Sequence, residues 1–535
     1  MRYSGIPDSA RWVLPLALEE QAERSPDATW IVCTDGERLS FGEAAADARK
    51  VAGYFAALGI GYGDRVAVML PNGCDFVRIW QALGLMGAVG VLLNTELLGS
   101  FLRHQLNNSG VELLVVHESL LAEVEALVPD LPALRRIVVV GVPSGPSPSG
   151  ILRLEWAAWR SAKPYRGDFP KPQDIALIMY TSGTSGLAKG VLMPHAHLTL
   201  FGISTIDAVD LNEDDRYYTV LPLFHANGLL QQLGATLLLG ITDVLRPRFS
   251  ATAWLDDIRK YEATATSVLG VLAHYIVAQP PNAKDRDHRL RAIILAPYVA
   301  DIDSIFRHRF GIADILSGFG MTESNICVLG KVPERCGPGA PVCDKYFDVV
   351  IADPDTDAGL PAGHLGEILV RPKQPFAFMA GYHGMPEKTI EAWRNLWFHT
   401  GDAGTKDASG NVTFVDRIKD CIRRRGENIS ANDVEAALLD ISDIGEVAAF
   451  AVPSGIPGGD DEVMLAVVLK PGAALSAQEL GDLAERRLPR FARPRYVEVV
   501  IELPKTSTGK IQRAVLRKRG SLTAFDRDVG RISHR

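Results

Sequence analysis

At 535 residues the chain is too long for one ordinary domain, and its length predicts about three folding units. A hydrophobic content of 47% is typical of a globular protein with an ample core. The formal net charge of −8 argues against a general nucleic-acid binder, because such proteins depend on a basic surface. The six cysteines show no Cys-x-x-Cys pair and no paired histidine spacing, which favours reduced core thiols over a zinc site.

The apolar segments do not indicate a membrane protein. The longest apolar run, residues 82–93, is too short to span a bilayer and contains three glycines. The first residues lack the basic start and apolar core of a signal peptide. We therefore expect a cytoplasmic protein.

The first third of the chain alternates helical and strand patterns, which favours βα units around a parallel sheet. The periodicity predicts helices over 15–25, 41–58, 75–88 and 98–108, and strands over 65–70, 89–93 and 113–116. A further buried strand, residues 175–179, leads into a loop of unusual composition.

That loop, residues 180–191, contains four Ser/Thr hydroxyls, three glycines and one lysine. Glycines let backbone amides close on a ligand, and amides, hydroxyls and an ammonium together form a concave anion site. The register excludes a P-loop, since Lys189 follows Ala188 and precedes Gly190. The spacing is also one residue short of a nucleophile elbow. We interpret the loop as a phosphate loop of another kind.

The second alternating set follows this loop. It predicts helices over 228–240, 254–261 and 301–309, and strands over 219–221, 266–269 and 292–295. Short strands at 347–351, 366–370 and 412–415 indicate a small β subdomain. Beyond a break near 417–420, the pattern predicts a compact α+β unit with helices at 431–440 and 476–488 and strands at 447–452, 463–469 and 496–501. We expect the basic segment 517–535 to be a loosely held tail.

Four further clusters carry residues suited to nucleotide chemistry. They are residues 317–324 (glycines, Phe319 and Glu323), 397–402 (ending in Asp402), 416–428 (rich in arginine) and 504–511 (containing Lys510). Each alone is a weak signal, because glycine turns, solvated arginines and surface lysines are common.

Together and in this order, the five clusters resemble the adenylate-forming family of acyl-CoA synthetases, and the resemblance covers about residues 15–517. It implies an α/β fold: a large N-terminal domain of βα-layered sheets with a small β subdomain (1–418), and a mobile α+β C-terminal domain (419–535) with its hinge at Lys419. It also implies an ATP-dependent ligase that adenylates a carboxylic acid and transfers the acyl group to CoA.

The resemblance implies the following ATP contacts: Thr181, Ser182, Gly183, Thr184, Ser185, Gly186, Lys189, Ala296, Pro297, Gly318, Phe319, Gly320, Met321, Thr322, Asp402, Arg417 and Lys510. Thr184 from this set, together with Glu323, would hold Mg2+. Phe319 would stack on adenine, and Asp402 with Arg417 would hold the ribose. Lys510 would bridge the substrate carboxylate and the α-phosphate.

The remaining implied sites concern CoA and the acid. CoA would meet Arg423, Arg424, Arg425, Gly426 and Glu427, and His225 would gate its tunnel. The acyl pocket would draw on His225, Ala226, Asn227, Gly228, Leu269, Gly270, Ala273 and Tyr298.

Several alternatives stay open on sequence alone. The run from Arg423 to Ser430 is closest to the crotonobetaine/carnitine–CoA ligase branch. The pocket residues nevertheless offer little for a quaternary ammonium, which favours a bulky, largely apolar acid. An acyl-AMP ligase that loads a carrier-protein phosphopantetheine is a further alternative, and a homodimer is one possibility for the assembly. A non-catalytic nucleotide-binding module would lack Lys510 or Glu323, and both are present.

Overall fold

A computed structural model describes residues 8–532, apart from positions 143–144, 182–186, 297, 334–338, 355, 365, 418–420, 425–426, 457–459, 506–510 and 512.

The α-helices are α1 (Leu14–Arg24), α2 (Phe41–Ala57), α3 (Cys74–Leu85), α4 (Gly99–Ser109), α5 (Leu121–Glu125), α6 (His195–Val209), α7 (Gly234–Leu239), α8 (Ala251–Lys260), α9 (Gly270–Val277), α10 (Ala300–Ile305), α11 (Pro386–Ala392), α12 (Ala431–Leu439), α13 (Ala477–Arg487), α14 (Arg513–Arg519) and α15 (Arg527–Ile532). Two π-helical segments, Asn227–Leu233 and Phe306–Phe310, lie next to α7 and α10.

The strands are β1 (Thr29–Cys33), β2 (Arg38–Ser40), β3 (Arg65–Met69), β4 (Val89–Leu92), β5 (Leu113–His117), β6 (Arg136–Val140), β7 (Leu152–Glu155), β8 (Ile175–Thr181), β9 (Lys189–Pro194), β10 (Arg216–Thr219), β11 (Thr242–Leu245), β12 (Ala265–Leu269), β13 (Ala292–Ala296), β14 (Asp314–Met321), β15 (Asn325–Lys331), β16 (Ala340–Pro341), β17 (Phe347–Ala352), β18 (Gly366–Pro372), β19 (Gly381–Tyr382), β20 (Phe398–Lys406), β21 (Asn411–Arg417), β22 (Cys421–Arg424), β23 (Glu427–Ser430), β24 (Ile444–Pro453), β25 (Asp461–Leu469), β26 (Tyr496–Val499) and β27 (Phe525–Asp526).

Two eight-stranded, mostly parallel sheets form the large part of the molecule. One has the order β19-β9-β8-β4-β3-β5-β6-β7, and the other β15-β14-β13-β12-β10-β11-β1-β2. Each contains an antiparallel hairpin towards one edge, β8–β9 in the first sheet and β14–β15 in the second. These two hairpins carry the phosphate loop and the Glu323 cluster.

A single hydrophobic core joins the two sheets. It includes Val68 and Met179 from one sheet, Trp30 and Leu316 from the other, and the buried sides of α1, α2, α3, α6 and α7. Helix α6 is buried from His195 to Ile206, as expected for a helix enclosed on all sides. Both hairpins therefore rest on the same core.

The C-terminal part has cores of its own. One is formed by β22–β26, α12 and α13, and a smaller one includes Phe450 and Leu516. Phe101 on α4 and Phe491 contact both the first of these cores and the core beneath α4. The C-terminal unit thus docks on α4 through two aromatic side chains.

The predicted α/β fold with a smaller α+β unit is confirmed, and the early helices and strands lie within a few residues of their predicted bounds. The expectation of a loose tail is wrong for the described residues to 532, which form α14, β27 and α15. Arg527 is 6% exposed and donates hydrogen bonds to Glu485 and the Pro494 carbonyl. The partners of this basic segment lie far away in the sequence, so its local composition could not indicate that it is held in place.

Within the described part of the chain, no helix is both long enough and apolar enough to cross a membrane.

Candidate active site

The phosphate loop connects the two strands of a tight hairpin. Thr181 at the end of β8 pairs with Lys189 at the start of β9, and residues 182–186, with the predicted contacts from Ser182 to Gly186, lie outside the described residues. Nε2 of His104 on α4 lies 2.9 Å from the Ala188 carbonyl oxygen. Both ends of the loop are thus anchored.

The second hairpin brings Glu323 to the base of this loop. Glu323 is 3% exposed, and its Oε1 accepts hydrogen bonds of 3.1 Å from both the Thr181 and the Tyr382 hydroxyls. The Met379 amide donates to the Glu323 carbonyl at 3.1 Å. The structure therefore brings together residues 142 positions apart, as the resemblance implies.

These groups fit a magnesium ion held largely by its substrate. The Glu323 carboxylate and Thr181 hydroxyl are hard oxygen donors. Among the described residues no group of three or more His, Cys, Asp or Glu side chains could hold a metal. One protein carboxylate completed by phosphate and water oxygens is a usual way to bind Mg2+.

The glycines of β14 are required by its close packing against β15. A Cβ on Gly318 would lie 2.1 Å from the Val328 carbonyl oxygen, and one on Gly320 would lie 2.6 Å from that of Asn325. Phe319 between them stacks on Phe414 of β21, with ring centroids 5.8 Å apart and planes 12° apart. The ring predicted to meet adenine is therefore held flat by a second ring.

Helix α6 is hydrogen-bonded to the turn that carries Glu323. Asn325 Nδ2 donates a hydrogen bond of 2.9 Å to the His197 carbonyl. Burial lowers the pKa of His195 and of His197 to about 4, so both rings are neutral at pH 7.

The predicted ribose residues are neighbours on adjacent strands. Asp402 of β20 pairs with Arg417 of β21, and Asp402 is 2% exposed. The Asp402 amide donates to the Thr400 hydroxyl oxygen at 3.1 Å, while that hydroxyl donates to the Ile368 carbonyl at 2.7 Å. Strand register alone thus places the acid and the arginine side by side.

The predicted acyl pocket lies where parallel strands end. Leu269 of β12 pairs with Ala296 of β13, and Gly270 begins α9 directly afterwards. The carboxyl ends of parallel strands form the usual ligand crevice of such sheets. Pro297 lies outside the described residues.

The 225–228 segment follows β10 at the same edge. The rings of Phe224 and His225 lie 4.6 Å apart, and Ala226 is 8% exposed. A Cβ on Gly228 would lie 2.5 Å from the Pro222 carbonyl oxygen, so only glycine fits. Asn227 Oδ1 accepts a 2.8 Å hydrogen bond from Gln232.

Two other residues predicted to line the acyl pocket already contact other parts of the protein. Ala273 is fully buried in a core that also contains Trp254 and Ile293. The Tyr298 hydroxyl donates to Asp303 at 3.2 Å, and Asp303 is in turn paired with Arg307 at 2.9 Å.

The arginine cluster divides by environment. Arg424 is 6% exposed, pairs with Glu462 at 2.5 Å and donates to the Phe491 carbonyl at 3.2 Å. The described contacts therefore give Arg424 a structural role within the C-terminal unit. Arg423 and Glu427 lie on the β22–β23 hairpin, whereas Lys419, Arg425, Gly426 and Lys510 lie outside the described residues.

Two residues near the site were not predicted. Tyr382 belongs to a two-residue strand, too short to give a periodic signal, and contacts Glu323 and Lys189. Asn72, in the Pro-Asn-Gly turn after β3, hydrogen bonds to the segments after β10 and β11. Only the turn composition could have drawn attention to Asn72.

Profiles of two related families match the chain. The AMP-binding enzyme family matches residues 18–383, and the AMP-binding enzyme C-terminal domain matches residues 433–510.

Individual relatives extend over most of the chain. A crotonobetaine/carnitine–CoA ligase of Salmonella heidelberg is 31% identical over 481 residues, 89% of this chain and 92% of the relative. A ligase of the same name from Escherichia coli O157:H7 is 31% identical over 490 residues, covering 90% and 93%.

Solved structures are similar over most of the chain. The o-succinylbenzoate CoA synthetase of Bacillus subtilis, bound to a product analogue, has a TM-score of 0.80 at 25% identity, covering 95% of this chain and 98% of that one. ATP-bound MatB from Rhodopseudomonas palustris has a TM-score of 0.68 at 26% identity, covering 94% and 98%.

Proposed function

We propose, from the premise that this chain belongs to the AMP-binding enzyme family and is an AMP-forming acid–CoA ligase, that its acid substrate is bulky and largely apolar. The enzyme uses ATP, Mg2+ and CoA: the acid is converted to acyl-AMP with release of pyrophosphate, and CoA then displaces AMP. The observation that carries the proposal is the pairing of Asp303, which accepts a hydrogen bond from the predicted pocket residue Tyr298, with Arg307.

That pairing disfavours a cationic acid. Asp303 is a carboxylate beside the predicted pocket residue Tyr298, and Arg307 already neutralises it at 2.9 Å. The Tyr298 hydroxyl is directed to the same carboxylate. A quaternary ammonium needs an unneutralised acid or a cage of aromatic faces. Leu269, Ala226 and Gly228 instead favour apolar contact.

The hairpin geometry supports the roles that the resemblance implies for Lys189 and Glu323 in the adenylation step. The attacking carboxylate and the α-phosphate are both anionic, so the reaction needs positive charge placed between them. Lys189 would hold the departing pyrophosphate, Glu323 and Thr184 would hold Mg2+, and Lys510 would bridge the two reacting groups. Mg2+, when bound, would neutralise phosphate charge.

We also propose that the chain divides near 418/419, with Lys419 as the hinge of a C-terminal domain that moves between the two half-reactions. Separate hydrophobic cores support this division. A cytoplasmic location and a homodimer stay predictions.

A pyrophosphate-release screen tests the substrate proposal. Aromatic, branched and straight-chain acids are compared with carnitine and crotonobetaine, each with and without CoA. We expect the largest kcat/KM for a bulky apolar acid. The relatives' names make carnitine and crotonobetaine the main competitors, and higher turnover of either than of every apolar acid would overturn the proposal.

The assigned lysine has its own test. Lys510→Ala should abolish pyrophosphate release, whereas thioester formation from supplied acyl-AMP should largely survive, because no anion attacks phosphorus in that step. Equal loss in both half-reactions would contradict the role of Lys510.

Variants of the arginine cluster distinguish free CoA from a carrier protein as the acyl acceptor. Arg423→Ala and Arg425→Ala should raise the KM for free CoA, because arginines recognise its phosphates. Arg486→Ala, an exposed arginine of the same unit, is the control. An unchanged KM for CoA in both cluster variants would favour a carrier-protein acceptor.

A further inference from the structure

Tyr382 lies between the two groups assigned to the phosphates and the metal. Its hydroxyl donates to Glu323 Oε1 at 3.1 Å, and the Lys189 ammonium lies 3.9 Å from its ring centroid. An ammonium at this distance over a phenol ring is held by the ring quadrupole. The Tyr382 side chain therefore contacts both the Glu323 carboxylate and the Lys189 ammonium of the proposed ATP site.

The backbone around Tyr382 is fixed to the phosphate-loop hairpin. Gly381 and Tyr382 pair with Leu192 and Val191 of β9. The His383 amide donates to the Gly190 carbonyl at 2.7 Å. Tyr382 itself is 6% exposed, and its amide donates to the Thr389 hydroxyl at 2.9 Å. The ring thus has a defined position relative to the phosphate loop.

We propose that Tyr382 is a positioning residue for adenylation, which orients the Glu323 carboxylate through its hydroxyl and the Lys189 ammonium through its ring. The inference rests on the proposed roles of Glu323 and Lys189. Hydrogen bonds to a ligating carboxylate fix its orientation, and their loss commonly weakens metal binding. The two contacts use different parts of the side chain, so substitution can separate them.

Tyr382→Phe removes the hydroxyl and keeps the ring, whereas Tyr382→Leu removes both. In Tyr382→Phe we expect the Mg2+ concentration for half-maximal pyrophosphate release to rise roughly tenfold, with the KM for ATP at saturating Mg2+ changed less than about twofold. In Tyr382→Leu the KM for ATP should also rise roughly tenfold, because Lys189 loses its ring contact.

A binding measurement without turnover accompanies the kinetics. Calorimetric titration of a non-hydrolysable ATP analogue, with and without Mg2+, gives the factor by which Mg2+ strengthens nucleotide binding. That factor should fall in Tyr382→Phe. Tyr218→Phe is the matched control, because the Tyr218 hydroxyl also donates to a carboxylate, that of Asp257, at 2.8 Å, in a fully buried residue of β10. It should change thermal stability only.

Two results would overturn the inference. If Tyr382→Phe lowers thermal stability like Tyr218→Phe but leaves the Mg2+ dependence of both measurements unchanged, Tyr382 is only structural. Glu323→Gln separates this failure from that of the proposed site. If Glu323→Gln also leaves the Mg2+ dependence unchanged, the metal role of Glu323 is wrong. If Glu323→Gln abolishes the Mg2+ dependence while Tyr382→Phe leaves it at the wild-type value, only the inference about Tyr382 fails.

Discussion

Asp243 is a fully buried carboxyl group in the middle of a parallel sheet. It lies on β11 between β1 and β10, and its Oδ2 accepts a 2.9 Å hydrogen bond from the Thr219 hydroxyl. Burial raises its pKa to about 8, against the effect of this hydrogen bond. The native protein therefore holds a proton here at neutral pH.

This raised pKa makes stability fall as pH rises. Between the usual aspartate pKa of about 4 and the native value of about 8, the unfolded chain releases the proton that the native chain keeps. Asp243→Asn removes this term and retains an acceptor for Thr219. Relative to wild type, the free energy of unfolding should increase by roughly 3 kcal/mol more at pH 8 than at pH 5.

Urea denaturation at the two pH values measures this difference. Asp214→Asn, an exposed aspartate just before β10, is the control and should show equal shifts at both pH values. The same shift at pH 5 and pH 8 for Asp243→Asn would show that the buried carboxyl is not protonated in the native state.

At the scale of elements, Asn72 connects the two large sheets near the predicted acyl pocket. Its Nδ2 donates to the carbonyls of Leu221 at 3.0 Å and Arg246 at 3.2 Å, and its Oδ1 accepts from the Leu223 amide at 2.8 Å. Asn72 follows β3 in one sheet, whereas its partners follow β10 and β11 in the other. The turn therefore fixes the segment that carries His225.

Asn72→Ala should lower the free energy of unfolding by about 2–4 kcal/mol, because buried backbone groups lose their partners. Asn72→Asp keeps the acceptor for Leu223 but places an anionic oxygen against two carbonyls. We expect it to be at least as destabilising at pH 8 and partly restored at pH 5, where the acid is closer to protonation. Urea unfolding measures the loss of stability, and the KM for CoA measures displacement of the segment that carries His225. Near-wild-type values of both quantities in both variants would contradict the proposed role of Asn72.

The elements also show what the sequence could predict. Periodicity was sufficient for α2 or β3, because each repeats its pattern over several residues. It was insufficient for β14, where Gly318 and Gly320 indicate a turn but are required by close packing against β15. Cluster order predicted that Thr181 and Glu323 belong to one site, whereas Tyr382 depends on a tertiary strand pairing that no local pattern encodes.

At the scale of the whole molecule, α4 contacts both the C-terminal unit and the phosphate loop. Phe101 near its start packs against the core of the C-terminal unit together with Phe491. His104, one turn later, contacts the Ala188 carbonyl at 2.9 Å. The docking surface of the C-terminal unit and the base of the proposed nucleotide site thus share one helix.

Phe101→Ala should consequently affect the two half-reactions unequally. If this docked arrangement serves thioester formation, loss of the Phe101 packing destabilises it relative to the adenylating one. Transfer from supplied acyl-AMP to CoA should then slow by roughly tenfold or more. Pyrophosphate release in a single turnover should change little, since the proposed adenylation residues remain in place. Phe491→Ala should reproduce the effect, because Phe491 packs against the same two cores as Phe101. The double variant should add little to either one, because the two side chains share their packing partners. A larger loss in adenylation than in transfer would assign this docked arrangement to the first half-reaction instead.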